Sequence, residues 1–248
     1  MSIAIMQPYL FPRVHYFQLM YASDAFVIYD DANYIKGGFI NRNKLLNTGG
    51  GDKFSMFTLP LDHDSSNKKI NELNVSVENF DKFKNKFFKT LKYTYSKAPF
   101  FKDTFSLIVD CLESSDSEKL SDICICSLKN IYYWIAGEPV DIRKSSELSY
   151  DRSLDAQGKV ISICKSFSAH IYINFIGGQH LYDSKAFADS GLELQFIKIK
   201  DLEYKQFNKE FAPNLSIIDT LMFNGKEGTL KFLDKYDIVS KEDNDENK

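Results

Sequence analysis

A dense group of polar side chains occupies the stretch YDDANYIKGGFINRN, residues 29–43. Its candidates for ligand contact are Asp30, Asp31, Tyr34, Lys36, Asn41, Arg42 and Asn43. Lysine and arginine attract phosphate or carboxylate, and arginine can bind either in bidentate fashion. An aspartate at a strand end can bind a hydroxyl, accept a proton or hold a metal. We predict a base role for Asp30 or Asp31 and substrate contacts for the others. A solvated turn, with one aspartate as a cap, is the alternative.

A second candidate stretch, IMQPYLFPRVHYF, spans residues 5–17. Its two prolines stiffen the backbone, so the Gln7 amide would be held in place and could contact a ligand. The aromatic and leucine side chains are expected to fill the core. His15 is equally open to a catalytic role as a base and to a structural one.

A third candidate is NFIGGQHLYD, residues 174–183, where a strand end, two glycines and a helix start follow one another. Glycines let a ligand approach the backbone, and a helix N-terminus offers N–H groups to an anion. Gly177, Gly178, Gln179 and Tyr182 are therefore predicted to contact substrate. A tight turn requiring positive φ would explain the glycines equally well.

Short apolar runs predict the elements that position these residues. A strand at 3–6, a helix at 12–21 and a strand at 25–29 form a βαβ unit with parallel strands. Both candidate loops that follow these strands then lie at the carboxyl edge, where open α/β sheets bind ligands. Residues 34–51 look loop-like. The stretches 54–61 and 70–77 alternate as strands do and predict a small β arm.

Helical periodicity dominates residues 78–137, and a second α/β rhythm follows it. We predict an α/β core at 1–77 and 138–235 with a Rossmann-like, mostly parallel sheet, a helical insertion at 78–137 and a disordered tail at 236–248. In the stretch NLSIIDTLMFNG, Ser216 could cap a helix with Asp219 in its first turn, which is mainly a structural reading.

Composition excludes several classes of function. A net charge of −3 and a pI of about 5.9 argue against nucleic acid or an anionic membrane as the main partner. We expect no secretory signal and no membrane span. Four cysteines in a chain of 248 residues suggest reduced thiols in a cytoplasmic protein, and their spacing predicts no metal site.

Together, the segments MQPYLFP…YFQL, D.FVIYDD..YIK…NRN, F.LPL, YSKAPFF, N..GG..LYD and LSIIDTLMFNG resemble the WbqC-like family of bacterial polysaccharide gene clusters. They occur in one order across residues 3–225. The resemblance implies a role in O-antigen or lipopolysaccharide synthesis, acting on a nucleotide-linked amino sugar. N-acyl or aminoacyl transfer is the step it most favours. The family usually has glycine at the position of His15.

The N-terminal unit is also similar in layout to the nucleotidyltransferase superfamily with the HIGH motif. The corresponding stretch here, RVHY at residues 13–16, lacks the glycine and the two histidines in register. Two alternatives to the transferase therefore stay open: a non-catalytic nucleotide-sugar binding subunit and an ATP-dependent adenylating ligase. The donor could be acyl-CoA, or an acyl group activated with ATP and Mg²⁺. The oligomeric state is not fixed by the sequence.

Overall fold

The computed structural model describes residues 1–50, 52–63, 65–115, 117–208 and 210–241. The strands of this part of the chain are β1 Ser2–Met6, β2 Ala25–Ile28, β3 Arg42–Leu46, β4 Phe54–Thr58, β5 Asp141–Lys144, β6 Ile171–Phe175, β7 Glu193–Ile199 and β8 Tyr236–Ser240. The helices are α1 Val14–Tyr21, α2 Val77–Tyr95, α3 Phe101–Glu113, α4 Leu120–Ala136, α5 Ala156–Ser166, α6 Ser184–Asp189 and α7 Ile217–Leu233.

The main sheet has six strands in the order β5-β2-β1-β6-β7-β8. All neighbouring strands pair in parallel except β7 and β8, which are antiparallel. Short apolar runs such as AFVI in β2 are buried along their whole length, as expected for strands covered on both faces. The predicted α/β class, with a mostly parallel sheet, is confirmed.

Helices cover both faces of this sheet. On one face a large core gathers residues of α1, α2, α3, α4 and α7 around strand residues such as Ala4, Phe26 and Ile173. On the other face, Ile163 of α5 and Phe187 of α6 pack on alternate strand residues such as Ile5. This alternation follows from the two-residue period of a strand. Helices α2 to α4 are the predicted helical stretch. None of the helices in the described part of the chain is long and apolar enough to cross a bilayer.

The small arm is confirmed as a separate antiparallel sheet, but the prediction of its strands was partly wrong. β4 pairs with β3, within the stretch expected to be a loop, whereas residues 70–77 contain a 3₁₀ turn at Ile70–Glu72. Among the described residues, the two expected strands are joined by the isolated antiparallel bridge between Leu61 and Val75. β3 was not predicted because its sequence, RNKLL, is largely polar and places an asparagine at the buried position 43.

The prediction of a disordered tail at 236–248 was wrong for residues 236–240. β8, at Tyr236–Ser240, closes one edge of the sheet by pairing with β7. Residues 242–248 lie outside the described part of the chain.

A tight contact joins α3 to α7, and we call it the junction. Helix α7 is broken at Gly225, where φ is 62° and ψ is −165°. A Cβ atom at Gly225 would lie 2.5 Å from a ring carbon of Phe100. The Phe100 amide also donates to the Met222 carbonyl at 3.1 Å. Glycine is therefore required by both backbone and space.

A buried carboxylate completes the junction. Asp219 of α7 is fully buried and accepts hydrogen bonds from Tyr95, Tyr204 and Gln206 at 2.9, 2.8 and 2.6 Å. The Tyr95 hydroxyl also accepts from the Leu46 amide at 2.8 Å. Burial raises the pKa of Asp219 to about 6, although the three donors act in the opposite direction. Asp219 therefore has a structural explanation, because its bond to Tyr95 connects α7 to the end of α2 and, through the Leu46 amide, to the arm.

Candidate functional site

The sheet has a topological switch point between β1 and β6. From β1 the chain first builds β2 and β5 on one side and then β6 and β7 on the other. Loops leaving β1 and β6 therefore diverge at their carboxyl ends, which is where such sheets bind ligands. A cavity of about 400 Å³ lies there, bordered by Met6 at the end of β1 and Phe175 at the end of β6. We call it the edge cavity.

The remaining wall of the edge cavity is aromatic and basic. The chemically notable lining residues are Tyr9, Tyr16, Phe39, Arg13, Lys44, Asn43 and Asn214. They come from the loop after β1 and the first turn of α1, from β3 and the loop before it, and from the segment before α7. Planar rings, amides and cations in one cavity suit a ligand that combines anionic groups with a planar or sugar-like part.

The loop between β1 and α1 is held in a strained but fixed shape. Phe11 has a φ of 44°, which is unusual for a bulky residue. Its carbonyl accepts hydrogen bonds from Asn43 Nδ2 at 2.9 Å and Ser216 Oγ at 2.7 Å. The Pro12 carbonyl accepts from the Ile217 amide at 2.8 Å. Such strain persists only where surrounding contacts fix the backbone, so this wall of the cavity is preorganised.

The two cations of the edge cavity lack carboxylate partners among the described residues. Arg13 donates to Asn214 Oδ1 at 2.8 Å. Lys44 Nζ lies 4.0 Å from the ring centroid of Phe54 and 5.9 Å from that of Phe39. A cation held by an amide or by aromatic faces remains able to bind an incoming phosphate or carboxylate.

A second cavity, of about 240 Å³, shares Arg13 and Asn214 with the first. We call it the side cavity. His15, Lys200 and Asp201 line it. Burial, reinforced by the charge of Arg13, lowers the pKa of His15 to about 4. The imidazole is therefore neutral at pH 7 and has a free lone pair, although its basicity is low until a nearby anion offsets Arg13.

Asp30 and Asp31 lie away from both cavities, at the ends of β2 and β5. Asp30 accepts from the Ser146 amide at 2.9 Å and from the hydroxyls of Ser146 and Ser145 at 2.7 and 3.1 Å. Asp31 accepts from Ser145, from Tyr150 at 2.7 Å and from Arg152 at 2.9 Å.

These contacts determine what the two aspartates can do. Burial tends to raise the pKa of Asp31, but its three donors outweigh burial and lower it below the usual value. A carboxylate with a low pKa and occupied oxygens is a poor base. The geometry therefore favours a structural role for the pair, anchoring the segment that follows β5.

Several predicted residues of the first candidate stretch, residues 29–43, fasten the arm. Tyr34 donates to Asn41 Oδ1 at 2.9 Å, and Asn41 donates to the Leu59 carbonyl at 2.8 Å. Arg42 Nε donates to a backbone carbonyl four residues earlier, and Lys36 is exposed in the loop before β3. Asn43, by contrast, lines the edge cavity.

The third predicted stretch, residues 174–183, includes Phe175 of the edge cavity. It forms a 3₁₀ turn at Ile176–Leu181, in which neither Gly177 nor Gly178 has positive φ, so the tight-turn explanation is wrong. A side chain at Gly177 would meet no atom within 4 Å. Gln179 Oε1 is buried without a hydrogen-bond partner in the described residues.

Two further predicted residues flank the end of β6 and the loop after β1. The Tyr182 hydroxyl lies 3.0 Å from that of Tyr172 and accepts from Asn174 Nδ2 at 2.9 Å. The Gln7 carbonyl accepts from the Tyr16 hydroxyl at 2.8 Å. Neither residue lines the edge cavity, but both lie in segments that border it.

The structure brings the three predicted segments to one edge. Within these segments, however, most of the residues that line the cavity are not the ones predicted to contact substrate. Arg13, Lys44 and Asn214 were missed. Arg13 directly follows Pro12 and Lys44 directly follows NRN, so proximity to the predicted motifs was the available signal. Asn214 opens the segment NLSIIDT, where its φ of 60° gives a conformation that asparagine tolerates better than most residues.

Comparison with known proteins agrees with the resemblance seen in the sequence. A protein of Mycobacterium tuberculosis described only as uncharacterized is 23% identical over 228 residues, covering 91% of this chain and 95% of its own length. No solved structure gives a significant match. The model of the WbqC-like protein family matches residues 7–230, nearly the whole chain. The chain therefore belongs to the WbqC-like protein family.

Proposed function

We propose that the chain is a transferase that joins an acyl or aminoacyl group to the amine of a nucleotide-linked sugar. The observation that carries this proposal is the pair of cavities that share the wall formed by Arg13 and Asn214. A two-substrate reaction needs two adjoining sites, whereas a binding subunit needs one.

The edge cavity is proposed to hold the nucleotide sugar. Arg13 and Lys44 would bind its phosphates, with Tyr9 and Phe39 offering ring faces to the base or the sugar. Asn43 would add an amide contact. The predicted contacts of Gln7, Gln179 and Tyr182 remain part of the proposal, at the rim contributed by the loops after β1 and β6.

The chemistry follows from a neutral imidazole beside Arg13. The sugar amine attacks the acyl carbonyl carbon, the N–C bond forms, and the bond to the donor's leaving group breaks. His15 accepts the proton that the amine loses. A bound phosphate near Arg13 would raise the pKa of His15 by offsetting the guanidinium charge, so substrate binding itself would make the base stronger.

The developing oxyanion needs donors. Asn41 and Asn43 already donate to backbone carbonyls. The backbone N–H groups of Gly177 and Gly178, at the start of the 3₁₀ turn after Phe175, are therefore the preferred candidates. Either acyl-CoA or an acyl group activated with ATP would present phosphates to the same cations. Family membership supports a setting in surface-glycan synthesis, such as that of O-antigen, in the cytoplasm.

Binding is tested by thermal shift with ATP, acyl-CoA and UDP- and dTDP-linked amino sugars. A ligand that binds only the folded state raises the melting temperature, and the rise grows with the logarithm of ligand concentration above its Kd. We expect Lys44→Met to weaken the effective ligand roughly tenfold, because a phosphate contact is lost. Lys86→Met, on the exposed face of α2, is the matched control and should bind normally.

Catalysis is tested with His15→Asn, Asp30→Asn and Asp31→Asn, assayed for acyl transfer to the ligand found above. We expect His15→Asn to bind ligand and lose turnover. The aspartate variants should lose stability instead, with turnover per folded molecule retained. Full activity of His15→Asn would reject the base assignment. Ligand binding without turnover in the unmodified chain, with every activated donor, would favour the non-catalytic binding subunit.

A further inference from the structure

The outer surface of the arm exposes large apolar side chains beside cations. Phe39, Phe54 and Met56 are 42%, 37% and 44% exposed. Lys44 lies over the Phe54 ring and pairs directly across from Met56 in the β3–β4 register. We call Phe39, Lys44, Phe54 and Met56 the arm face. Apolar residues clustered on a surface with cations mark an interaction site more often than single exposed residues do.

The charge of this surface is one-sided. Arg42, two residues before Lys44, lies on the same side of β3, because side chains of a strand alternate. Neither cation forms an ion pair with a described carboxylate, and the partner of Arg42 Nε is a carbonyl. The net charge of −3 made an anionic membrane an unexpected partner. The arm face departs from that average, because it combines exposed apolar area with positive charge that forms no ion pair with a described carboxylate.

We propose that the arm face docks on an anionic lipid bilayer, an interaction that goes beyond the proposed reaction and does not depend on it. Aromatic and aliphatic side chains enter the headgroup region of a bilayer, and lysine or arginine beside them binds anionic lipids. A second copy of the chain fits this surface less well. A two-fold contact would bring each Lys44 and Arg42 close to the same residues of the partner.

Docking has a consequence for the edge cavity. Phe39 and Lys44 belong to the arm face and also line that cavity. A bilayer bound to the arm face would therefore lie beside the cavity mouth, where ligand could pass between the membrane surface and the protein.

The test is vesicle flotation with the whole chain, using phosphatidylglycerol mixed into phosphatidylcholine against phosphatidylcholine alone. We expect binding to the anionic vesicles, weakening as salt rises. The double variant Phe54→Ser with Met56→Ser should reduce bound protein at least about fivefold, because the inserted apolar area is lost. Its melting temperature should match that of the unmodified chain, since both residues are exposed.

Two controls make the result specific. Tyr133→Ser removes an exposed aromatic of α4, and Lys82→Glu with Lys86→Glu reverses the charge of two exposed lysines on α2. Both should float as the unmodified chain does. The proposal is overturned if no anionic vesicle binds the chain, or if the α2 variant alone abolishes binding. It is also overturned if inorganic phosphate removes all binding while chloride at the same ionic strength does not. That result would indicate a phosphate site rather than a docking surface. A concentration-dependent dimer that the Phe54, Met56 variant dissociates would assign the face to a second copy.

Discussion

The junction and the edge cavity are both built from segments that resemble the same family, yet they treat polar groups in opposite ways. At the junction, the Asp219 side chain is fully buried, and its carboxylate accepts hydrogen bonds from Tyr95, Tyr204 and Gln206. At the edge cavity, Arg13 and Lys44 face open space without a carboxylate partner among the described residues. The difference teaches that a family-like motif can border a candidate site or form a structural contact. Here the two are distinguished by charged side chains that have no oppositely charged partner among the described residues.

The largest effect that would test this comparison is expected at Gly225. Gly225→Ala places a Cβ against Phe100 and forces alanine into a left-handed conformation, so we expect a loss of about 4 kcal/mol of unfolding free energy. Gly137→Ala is the control, because Gly137 also has positive φ but has open space around its Cβ position. It should cost about 1 kcal/mol by chemical denaturation. Equal costs would show that the Phe100 contact contributes nothing.

The next effect concerns the Tyr95 hydroxyl. Tyr95→Phe leaves the Leu46 amide without its acceptor and Asp219 with one donor fewer, so we expect a loss of about 2 kcal/mol. Tyr133→Phe, at a side chain that is 59% exposed, should change stability little. Ligand affinity measured by thermal shift should stay the same in both variants. Weaker ligand binding by Tyr95→Phe would mean that the junction and the cavity are coupled.

A smaller, pH-dependent effect on stability should have opposite signs at Asp219 of the junction and at His15 of the side cavity, which adjoins the edge cavity. Because burial lowers the pKa of His15 from 6.5 to about 4, the unfolded chain binds that proton more readily, and stability falls as the pH drops from 6.5 to 4. Because burial raises the pKa of Asp219 from 3.8 to about 6, the folded chain binds that proton more readily, and stability rises over the range from pH 6 to 4.

Urea unfolding at several pH values between 4 and 7 measures this opposition. His15→Asn should remove the loss of stability on acidification, and Asp219→Asn should steepen it. Comparing slopes rather than absolute values removes the constant cost of each substitution. If both variants changed the slope in the same direction, one of the two burial effects would be wrong.

The smallest effect is expected at Asn214. Asn214→Gly removes the acceptor of Arg13 but tolerates the φ of 60°, so stability should change by a few tenths of a kcal/mol. Asn214→Ala should cost about 1 kcal/mol more, because alanine is strained there. Both should weaken ligand binding severalfold if the shared wall positions Arg13. Unchanged binding in both would remove Asn214 from the site.

Sequence patterns predicted the elements that are apolar throughout. The β1–α1–β2 unit was predictable because its buried strands, such as AFVI in β2, consist almost entirely of apolar residues. β3 was not, because RNKLL places an asparagine in the interior, where it bonds the strained Phe11. β8 was hidden by its charged surroundings at the end of the sequence.

Residue type alone indicated the segments that border the edge cavity more often than the residues that line it. Asp30 and Asp31 were natural candidates for a base, but their partners lie more than a hundred positions away, at 145–152, and only the folded chain brings them together. The sharing of Arg13 and Asn214 between two cavities depends likewise on contacts across about 200 positions. Local sequence patterns do not predict contacts between residues that lie so far apart in the chain.

The antiparallel strand β8 has a practical consequence for protein engineering. It is the outermost strand of the sheet and covers the hydrogen-bonding edge of β7. A version truncated after Asp234 would leave that edge, with Phe196 and Ile197, open to strand addition from another molecule. Such a protein should aggregate or exchange strands, so affinity tags are better attached beyond Lys241 than in place of the final strand.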